Sequence, residues 1–268
     1  MASIGCTPSP AKLRSMLRRC TFGPRPFCPR CRTTHVRRSE SRYRCPKCRR
    51  PFSIQSASWL HGKKLSDRKL WILLRCWQER VPLGTASRVA GVSPATVRRW
   101  YRQFSEHLMY ASAPLRGTVE IDEAFIGKRR HGNQRIVIGA IERDTNRIVL
   151  QMMPAHTQEA SDRFLLGHVE HGSAVCTDGS MLYEGINQFF SYLHIRCNHS
   201  AWYFGPTNRI EAVWSVLKRR IRRMYHHVWK EHLPNLLREF EARWNAPELF
   251  QSPFTFIETS LVAVPTRC

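Results

Sequence analysis

Between residues 66 and 106 the apolar positions recur with a helical period. Leu70, Leu73, Leu74 and Trp77 fall on one face of a helix over 66–79, with Ser66 or Asp67 as its N-cap. Residues 83–106 predict a short helix, a turn at Gly91 and a second helix opened by Ser93-Pro94. Serine is a good cap, and proline suits the first helical position. On that second helix Val97 and Trp100 (or Tyr101) point inward, while Arg98, Arg99 and Arg102 point outward. Upstream, residues 12–19 predict a short basic helix.

From residue 118 the pattern becomes β-rich. A strand over 118–126 is followed by runs at 135–143 and 147–153 that flank Asp144-Thr145-Asn146, so a hairpin and a three-strand meander are expected. A helix over 157–169, capped by Thr157, leads to a short buried strand at 173–179 ending in Asp178. A helix over 180–190, a strand over 193–197 and helices over 207–224 and 231–245 complete the series. The order β-β-β-α-β-α-β-α is that of a ribonuclease-H-like α/β fold with a mixed sheet. No internal repeat stands out. The expected divisions are a basic N-terminal segment (1–26), a cysteine-bearing segment (27–56), a helix-turn-helix region (66–110), a linker "ASAPLRG" (111–117), the sheet domain (118–250) and a C-terminal tail (251–268).

Charge separates these parts further. The 268 residues carry 43 Lys and Arg against 20 Asp and Glu. Residues 1–117 hold 25 of the bases and only four acids, Glu40, Asp67, Glu79 and Glu106; the remaining 18 bases meet 16 acids. The first part therefore has the electrostatic footprint of a partner of polyanions, and the second is nearly balanced, as an enzymatic domain could be. At 42% hydrophobic the chain can build a sizeable core, and no apolar run of 18 residues suggests a membrane span.

Ten cysteines are present. Six are scattered, at Cys6, Cys20, Cys76, Cys176, Cys197 and Cys268. The other four form Cys28-x2-Cys31, then 13 residues, then Cys45-x2-Cys48. Two such knuckles at this separation predict a tetrahedral four-cysteine zinc site, with two disulfides or inert core thiols as the other readings. Tyr43 and Phe52 would pack around it. The first 20 residues lack the apolar stretch of a signal peptide, which favours a reduced compartment; their Arg-rich, acid-free character leaves an organellar presequence open.

The stretch "TVEIDEAFIGK" (118–128) sets a physical problem. A buried strand should not carry acids unless something meets them. In a ribonuclease-H-like sheet the first and fourth strands are neighbours, so Asp122 and Asp178 would face each other and repel. A divalent cation would resolve that conflict. On the helix over 207–224, Asn208, Glu211, Ser215, Lys218 and Arg222 share a polar face beside a buried stripe of Ile210, Val213, Trp214, Leu217 and Ile221, which makes Glu211 a third acid at the border. Each acid alone could equally be a solvated or capping residue; their joint placement is what points to a metal.

The sequence resembles the DDE-type transposases of bacterial insertion sequences, in the zinc-ribbon subgroup related to the Merlin elements. The resemblance spans about residues 27–245 and rests on "CPRC…CPKC", "VEIDEAFIGK", "TDGSMLYEGI", "CNHS", "TNRIEAVWSVLKRRI", "YHHV" and "EHLPNLLREFEARWN". It implies that Asp122, Asp178 and Glu211 are the catalytic acids and that Lys218 is the basic residue following the third. Some relatives use asparagine third, which keeps Asn208 as an alternative. Pro206 stands where a histidine often precedes the "TN" pair, and the segment before the first knuckle matches poorly. The implied activity is cutting and joining of DNA with two Mg²⁺ (Mn²⁺ substituting), with one structural Zn²⁺. The implied partners are double-stranded DNA, as terminal inverted repeats and target, and further copies of the chain in a synaptic complex. Arg98, Arg99 and Arg102 would contact DNA from the helix-turn-helix, and Arg219, Arg222 and Arg223 from the later helix. The location implied is cytoplasmic and nucleoid-associated in a bacterium, or nuclear in a eukaryote. A non-catalytic DNA-binding regulator and a nuclease that cuts without joining are the other function classes.

Overall fold

The computed structural model describes residues 7–40, 42–128, 134–189, 191–197, 207–225 and 230–261. In chain order the elements are α1 (Pro10–Phe22), β1 (Arg37–Ser39), β2 (Arg42–Arg44), β3 (Pro51–Phe52), α2 (Asp67–Gln78), α3 (Leu83–Ala90), α4 (Pro94–Glu106), β4 (Thr118–Ile126), β5 (Arg135–Glu142), β6 (Ile148–Met152), α5 (Gln158–His168), β7 (Ala174–Asp178), β8 (Leu193–Cys197), α6 (Asn208–Tyr225), α7 (Leu233–Asn245) and α8 (Pro253–Ser260). They form two compact units, residues 1–109 with 248–268, and residues 110–247. No helix among the described residues is long and apolar enough to cross a membrane.

In the first unit, β1, β2 and β3 make a small antiparallel sheet. So short a sheet has little core of its own, and aromatic rings supply one. Tyr43 stacks on Phe52 at 5.4 Å, and Phe22 from the end of α1 meets both edge-on. The basic helix expected over 12–19 is longer, and it buries Leu13, Met16 and Leu17. Ser66 caps α2 by accepting the Lys69 N–H, and the expected stripe of Leu70, Leu73, Leu74 and Trp77 is buried. Residues 251–268, read from sequence as a tail, instead contribute α8 to this unit. Phe254 meets Trp71 at 4.9 Å and Phe256 meets Trp77 at 5.2 Å. The Trp59 indole N–H donates to the Ser260 carbonyl at 3.1 Å, and the Gln78 side chain donates to Ser252 at 3.0 Å. The signals for this helix were local and short: Ser252 as cap, Pro253 next, and Phe256 and Ile257 on one face.

The second unit is built on a five-stranded sheet in the order β6-β5-β4-β7-β8. The first three strands pair antiparallel as the expected meander, and β7 and β8 run parallel to β4. This is the mixed α/β arrangement of a ribonuclease-H-like fold. Strand alternation sorts β4 onto two faces. Val119 and Ile121 join a core with Phe164 and Leu165 of α5 and with Leu182, Tyr183 and Ile186. Ala124 and Ile126 join another with Ile210, Val213, Trp214 and Leu217 of α6 and Leu236, Leu237 and Phe240 of α7. The segment expected as an α-helix over 180–190 is wound as a 3-10 helix, Met181–Gln188. It approaches α5 so closely that a Cβ on Gly185 would stand 2.4 Å from the Asp162 and Gln158 side chains.

Polar side chains close the edges of this unit. The outer edge of β6 is paired by side chains rather than by a strand. Asn245 accepts the Ile148 N–H at 2.9 Å and donates to the Ile148 carbonyl at 2.7 Å, and Glu241 accepts the Leu150 N–H at 3.1 Å. Residues 111–117, read as a linker, are fastened to this unit. Leu115 is fully buried, its N–H donates to His168 at 2.8 Å, and its carbonyl accepts from Glu170 at 2.8 Å. Apolar character at one position, Leu115, was the only sign of this in "ASAPLRG".

Glu120 is the least expected element of the fold. It lies on β4 with its side chain 1% exposed. Its Oε2 accepts the backbone N–H groups of Arg209 and Ile210 at 3.0 and 3.1 Å, and its Oε1 accepts from Arg143 Nε at 2.8 Å. A side chain from a strand thus caps the first turn of α6, where donors lack helical partners and the helix dipole favours an anion. Glu120→Ala strands two amide donors and a guanidinium, and should cost about 3–5 kcal/mol; Glu120→Gln, which keeps acceptor capacity, should cost less. Urea melts of the two variants against the parent check the size and the order.

Candidate metal centre and acidic site

The four knuckle cysteines converge. Their ligand sulfurs all lie within 4.8 Å of one another, and among the described residues no other set of three or more His, Cys, Asp or Glu groups does. Cys28 Sγ is 3.6 Å from Cys48 Sγ, and Cys31 Sγ is 3.4 Å from Cys45 Sγ. These are too long for disulfides, and all four are free thiols. A tetrahedron of sulfurs at about 2.3 Å from zinc has edges of roughly 3.8 Å, so the cluster fits that ion after a small expansion. The two halves are near-copies. Cys28 N–H donates to Thr33 O at 2.9 Å, as Cys45 N–H does to Arg50 O at 3.1 Å. Arg32 and Arg49, each following the second cysteine of its knuckle, both adopt left-handed backbone, with φ of 58° and 59°. Non-glycine residues take that conformation at a cost, which the knuckle geometry imposes twice.

The expected pair of helices at 83–106 is also present in the first unit. Gly91 turns the chain at φ 60°, ψ 50°, a left-handed conformation that glycine adopts without strain. Lys69 Nζ from α2 donates to the Gly91 carbonyl at 2.8 Å, and Tyr101 donates its hydroxyl to Val81 O at 2.9 Å. Val97, Trp100, Tyr101 and Phe104 are all buried, so Trp100 and Tyr101 are not alternatives. Arg98, Arg99 and Arg102 are exposed. Arg99 lies 5.9 Å over the Trp100 ring, and Arg102 pairs with Glu106 at 3.3 Å.

In the second unit, the register places Asp122 and Asp178. β4 and β7 pair at Thr118 with Ala174, Val119 with Val175, and Glu120 with Cys176. Two residues beyond the last pair, Asp122 and Asp178 stand level and on the same side of their strands. The β4–β7 ladder ends at Glu120 and Cys176, and an acid follows two residues on in each strand. Among the described residues, no Lys, Arg or His side chain bonds to Asp122. Its Oδ2 accepts the Trp214 indole N–H from α6 at 2.8 Å. Asp178 Oδ1 accepts the Ser180 N–H at 3.0 Å, which ties that carboxylate to the turn after β7. Burial is the main reason that the Asp122 carboxyl is pushed up to about 6, the Trp214 N–H opposes this, and the nearby charges of Glu123 and Asp178 add to it. A cation between the two carboxylates would relieve that crowding, and the donor set there is oxygen.

The other expected residues lie on α6. Its stripe of Ile210, Val213, Trp214, Leu217 and Ile221 is buried. Asn208, Glu211, Ser215, Lys218, Arg219, Arg222 and Arg223 are exposed. Glu211 Oε1 accepts from Thr207 Oγ1 at 3.4 Å. The structure brings Asp178 near enough for its charge to act on Asp122 and puts Trp214, on the same helix as Glu211, against Asp122. It does not bring the three acids into a tight cluster. Pro206, residues 198–200 of "CNHS" and residues 226–228 of "YHHV" lie outside the described residues. Glu123, given no role by the sequence pattern, points its side chain away from Asp122. Its Oε2 accepts from the Tyr183 hydroxyl at 2.5 Å, and its Oε1 lies 3.1 Å from His156 Nε2. Two adjacent acids on a strand must serve opposite faces, which was the available signal.

Comparison with known proteins bears on this unit. Residues 114–245 match the model of the ISXO2-like transposase domain, so this part of the chain is similar to DDE-type insertion-sequence transposases. The match begins after the cysteine knuckles and the helix pair. No curated protein matches. Among solved structures, the catalytic core domain of BIV integrase has 13% identity and a TM-score of 0.37, covering 48% of this chain and 83% of that one. A chain of the simian T-cell lymphotropic virus intasome in complex with PP2A regulatory subunit B56 gamma has 11% identity and a TM-score of 0.39, covering 68% and 74%.

Asp122 generates a pH prediction. Its folded-state pKa is raised, so between pH 4 and 6 the folded chain holds a proton that the unfolded chain has lost. Stability from this group therefore falls as pH rises through that window. In chelator, Asp122→Asn should match the parent near pH 4 and exceed it by on the order of 3 kcal/mol at pH 7, because each pKa unit is about 1.4 kcal/mol. Urea melts at the two pH values measure this; no gain at pH 7 contradicts the buried, crowded carboxylate.

Proposed function

We propose that the chain is a transposase of the zinc-ribbon subgroup related to Merlin elements, one that binds the terminal inverted repeats of a mobile element and cuts and joins DNA. The observation that carries this is the parallel β4–β7 register, which, continued two residues past Glu120 and Cys176, sets Asp122 beside Asp178. The match of residues 114–245 to the ISXO2-like transposase domain supports it. Asp122 and Asp178 would hold divalent metal, with Glu211 in the first turn of α6 as the third acid. Divalent ions bound there supply Lewis acidity to the attacking and the leaving oxygen of a phosphodiester. The chain's own residues orient the DNA. Lys218 lies two turns beyond Glu211 on the same exposed face, where it can hold a phosphate without occupying the metal, and Arg219, Arg222 and Arg223 extend that basic surface.

In the first unit, Cys28, Cys31, Cys45 and Cys48 would hold one zinc. The helix pair would read DNA as a helix-turn-helix, with α4 presenting Arg98, Arg99 and Arg102. The excess of base before residue 118 supports this division of labour. Two DNA ends must be held together during joining, so assembly into a dimer or larger complex is part of the proposal.

The test uses labelled element ends and a target plasmid. The parent chain should give joined product; cutting without joining identifies a nuclease, and binding with neither identifies a regulator. Asp122→Asn and Asp178→Asn should keep end binding and lose cleavage. Glu211→Ala should abolish single-turnover cleavage while Asn208→Ala lowers it in part; the reverse order gives the third position to Asn208. Elemental analysis of protein kept reduced should find one zinc per chain, and loss of all zinc on replacing Cys45 with serine.

A further inference from the structure

Trp214 looks at first like one more residue of the α6 core stripe. It is 5% exposed and packs among Ile210, Leu217 and Leu150. A leucine or phenylalanine would also be apolar there, though neither reaches as far. What tryptophan adds is one N–H donor, and that donor is spent on Asp122 Oδ2 at 2.8 Å. The opposite strand is shaped for it. Gly139 is the direct cross-strand partner of Asp122. A Cβ on Gly139 would stand 2.5 Å from Trp214 Cη2, 2.9 Å from Cζ2 and 2.7 Å from Leu150 Cδ2. An indole cannot swing one end aside as a lysine can, so any side chain at 139 must displace the ring as a whole.

We propose that Trp214 is a positioning residue that holds the Asp122 carboxylate at a fixed rotation for a divalent cation, and that Gly139 is the clearance that lets the indole reach it. This rests on the reading of Asp122 as an acid of the metal site. The chemistry of the donor suits the task. An indole N–H is neutral, so it leaves the carboxylate its full charge. It is donor-only, so it cannot compete as a ligand. A lysine or arginine in its place would form an ion pair and oppose the cation. One hydrogen bond to one oxygen removes rotational freedom and leaves lone pairs on both oxygens for the ion, as outer partners of ligating groups do.

The test measures Mn²⁺ binding by the full chain, from the electron paramagnetic resonance of free Mn²⁺, beside thermal melting and cleavage of element ends. Trp214→Phe should weaken Mn²⁺ binding about tenfold and raise the Mn²⁺ needed for half-maximal cleavage, with end binding unchanged. Replacing Trp214 by 3-benzothienylalanine, which keeps the ring shape and exchanges N–H for sulfur, should give the same loss with parental melting. Gly139→Ala should reproduce it in the parent and add little in Trp214→Phe, because the phenyl ring lacks the indole atoms that the Cβ would strike and the remaining contact, the Leu150 Cδ2 methyl, can rotate into the space the indole leaves; the two changes are then non-additive. Parental Mn²⁺ binding in the benzothienyl variant, while Asp122→Asn abolishes it, overturns the proposal and leaves the active-site reading standing. Undiminished Mn²⁺ binding and cleavage in Asp122→Asn overturns the reading beneath it.

Discussion

A carboxylate with almost no exposure governs the geometry of the second unit. Glu120 sits on β4, and burying its charge is tolerable only because every lone pair of consequence finds a donor. Two of those donors are backbone amides of α6, and the third is the guanidinium of Arg143 just beyond β5. Arg209 completes the junction by donating to Asn146 at 3.0 Å and to the Arg143 carbonyl. The β4–β5–β6 meander and the start of α6 are thereby locked at one point. From that lock follow the position of Glu211 in the first turn and of Trp214 one turn later, over Asp122. Moving the helix by a residue would break the cap, bury the wrong side chains and withdraw the indole together.

Three acids within four residues of β4 show how environment divides one residue class into separate roles. Glu120 is charged, saturated with donors and structural. Asp122, on the same face two residues on, has only neutral donors, the Trp214 indole and the Glu123 backbone, and two acidic neighbours, so burial works against its charge. Glu123 faces the other way and is engaged by Tyr183 and His156. The distinction lies in what each meets, and none of it is a property of the side chain alone. Among the described residues, Asp122 accepts from no Lys, Arg or His side chain, which leaves its charge available to a cation.

The sheet was legible because its signals are periodic and local. Alternation in β4, the turn between β5 and β6, and the 3.6-residue stripe on α6 each reside in a single window of sequence, and so does the spacing of the four cysteines. The level placement of Asp122 and Asp178 was legible through the order of elements. What escaped was long-range. Glu120 looks like any acid in "TVEIDEAF", and the amides that need it are 89 and 90 residues away. The Trp214 stripe announced burial, while its hydrogen bond depends on a glycine in another strand. Leu115 in "ASAPLRG" and the helix within residues 251–261 were masked by turn-forming neighbours. Proline and serine there mark a helix start rather than a loose end.

The inclusion of α8 in the first unit has a consequence for how the chain is made. That unit is discontinuous: Phe254 and Phe256 fill gaps around Trp71 and Trp77 from almost two hundred residues downstream. The second unit, residues 110–247, is continuous in sequence and can complete its fold while the ribosome still holds the last helix. The cysteine-bearing unit must wait with an open aromatic seam until residue 260 emerges. Synthesis therefore orders the two units against their order in the chain, with the mixed sheet finished first and the most basic region closed last. A ribosome that stops near residue 250 would release a finished sheet attached to an unsealed first unit, so a late nonsense codon strikes the part encoded earliest.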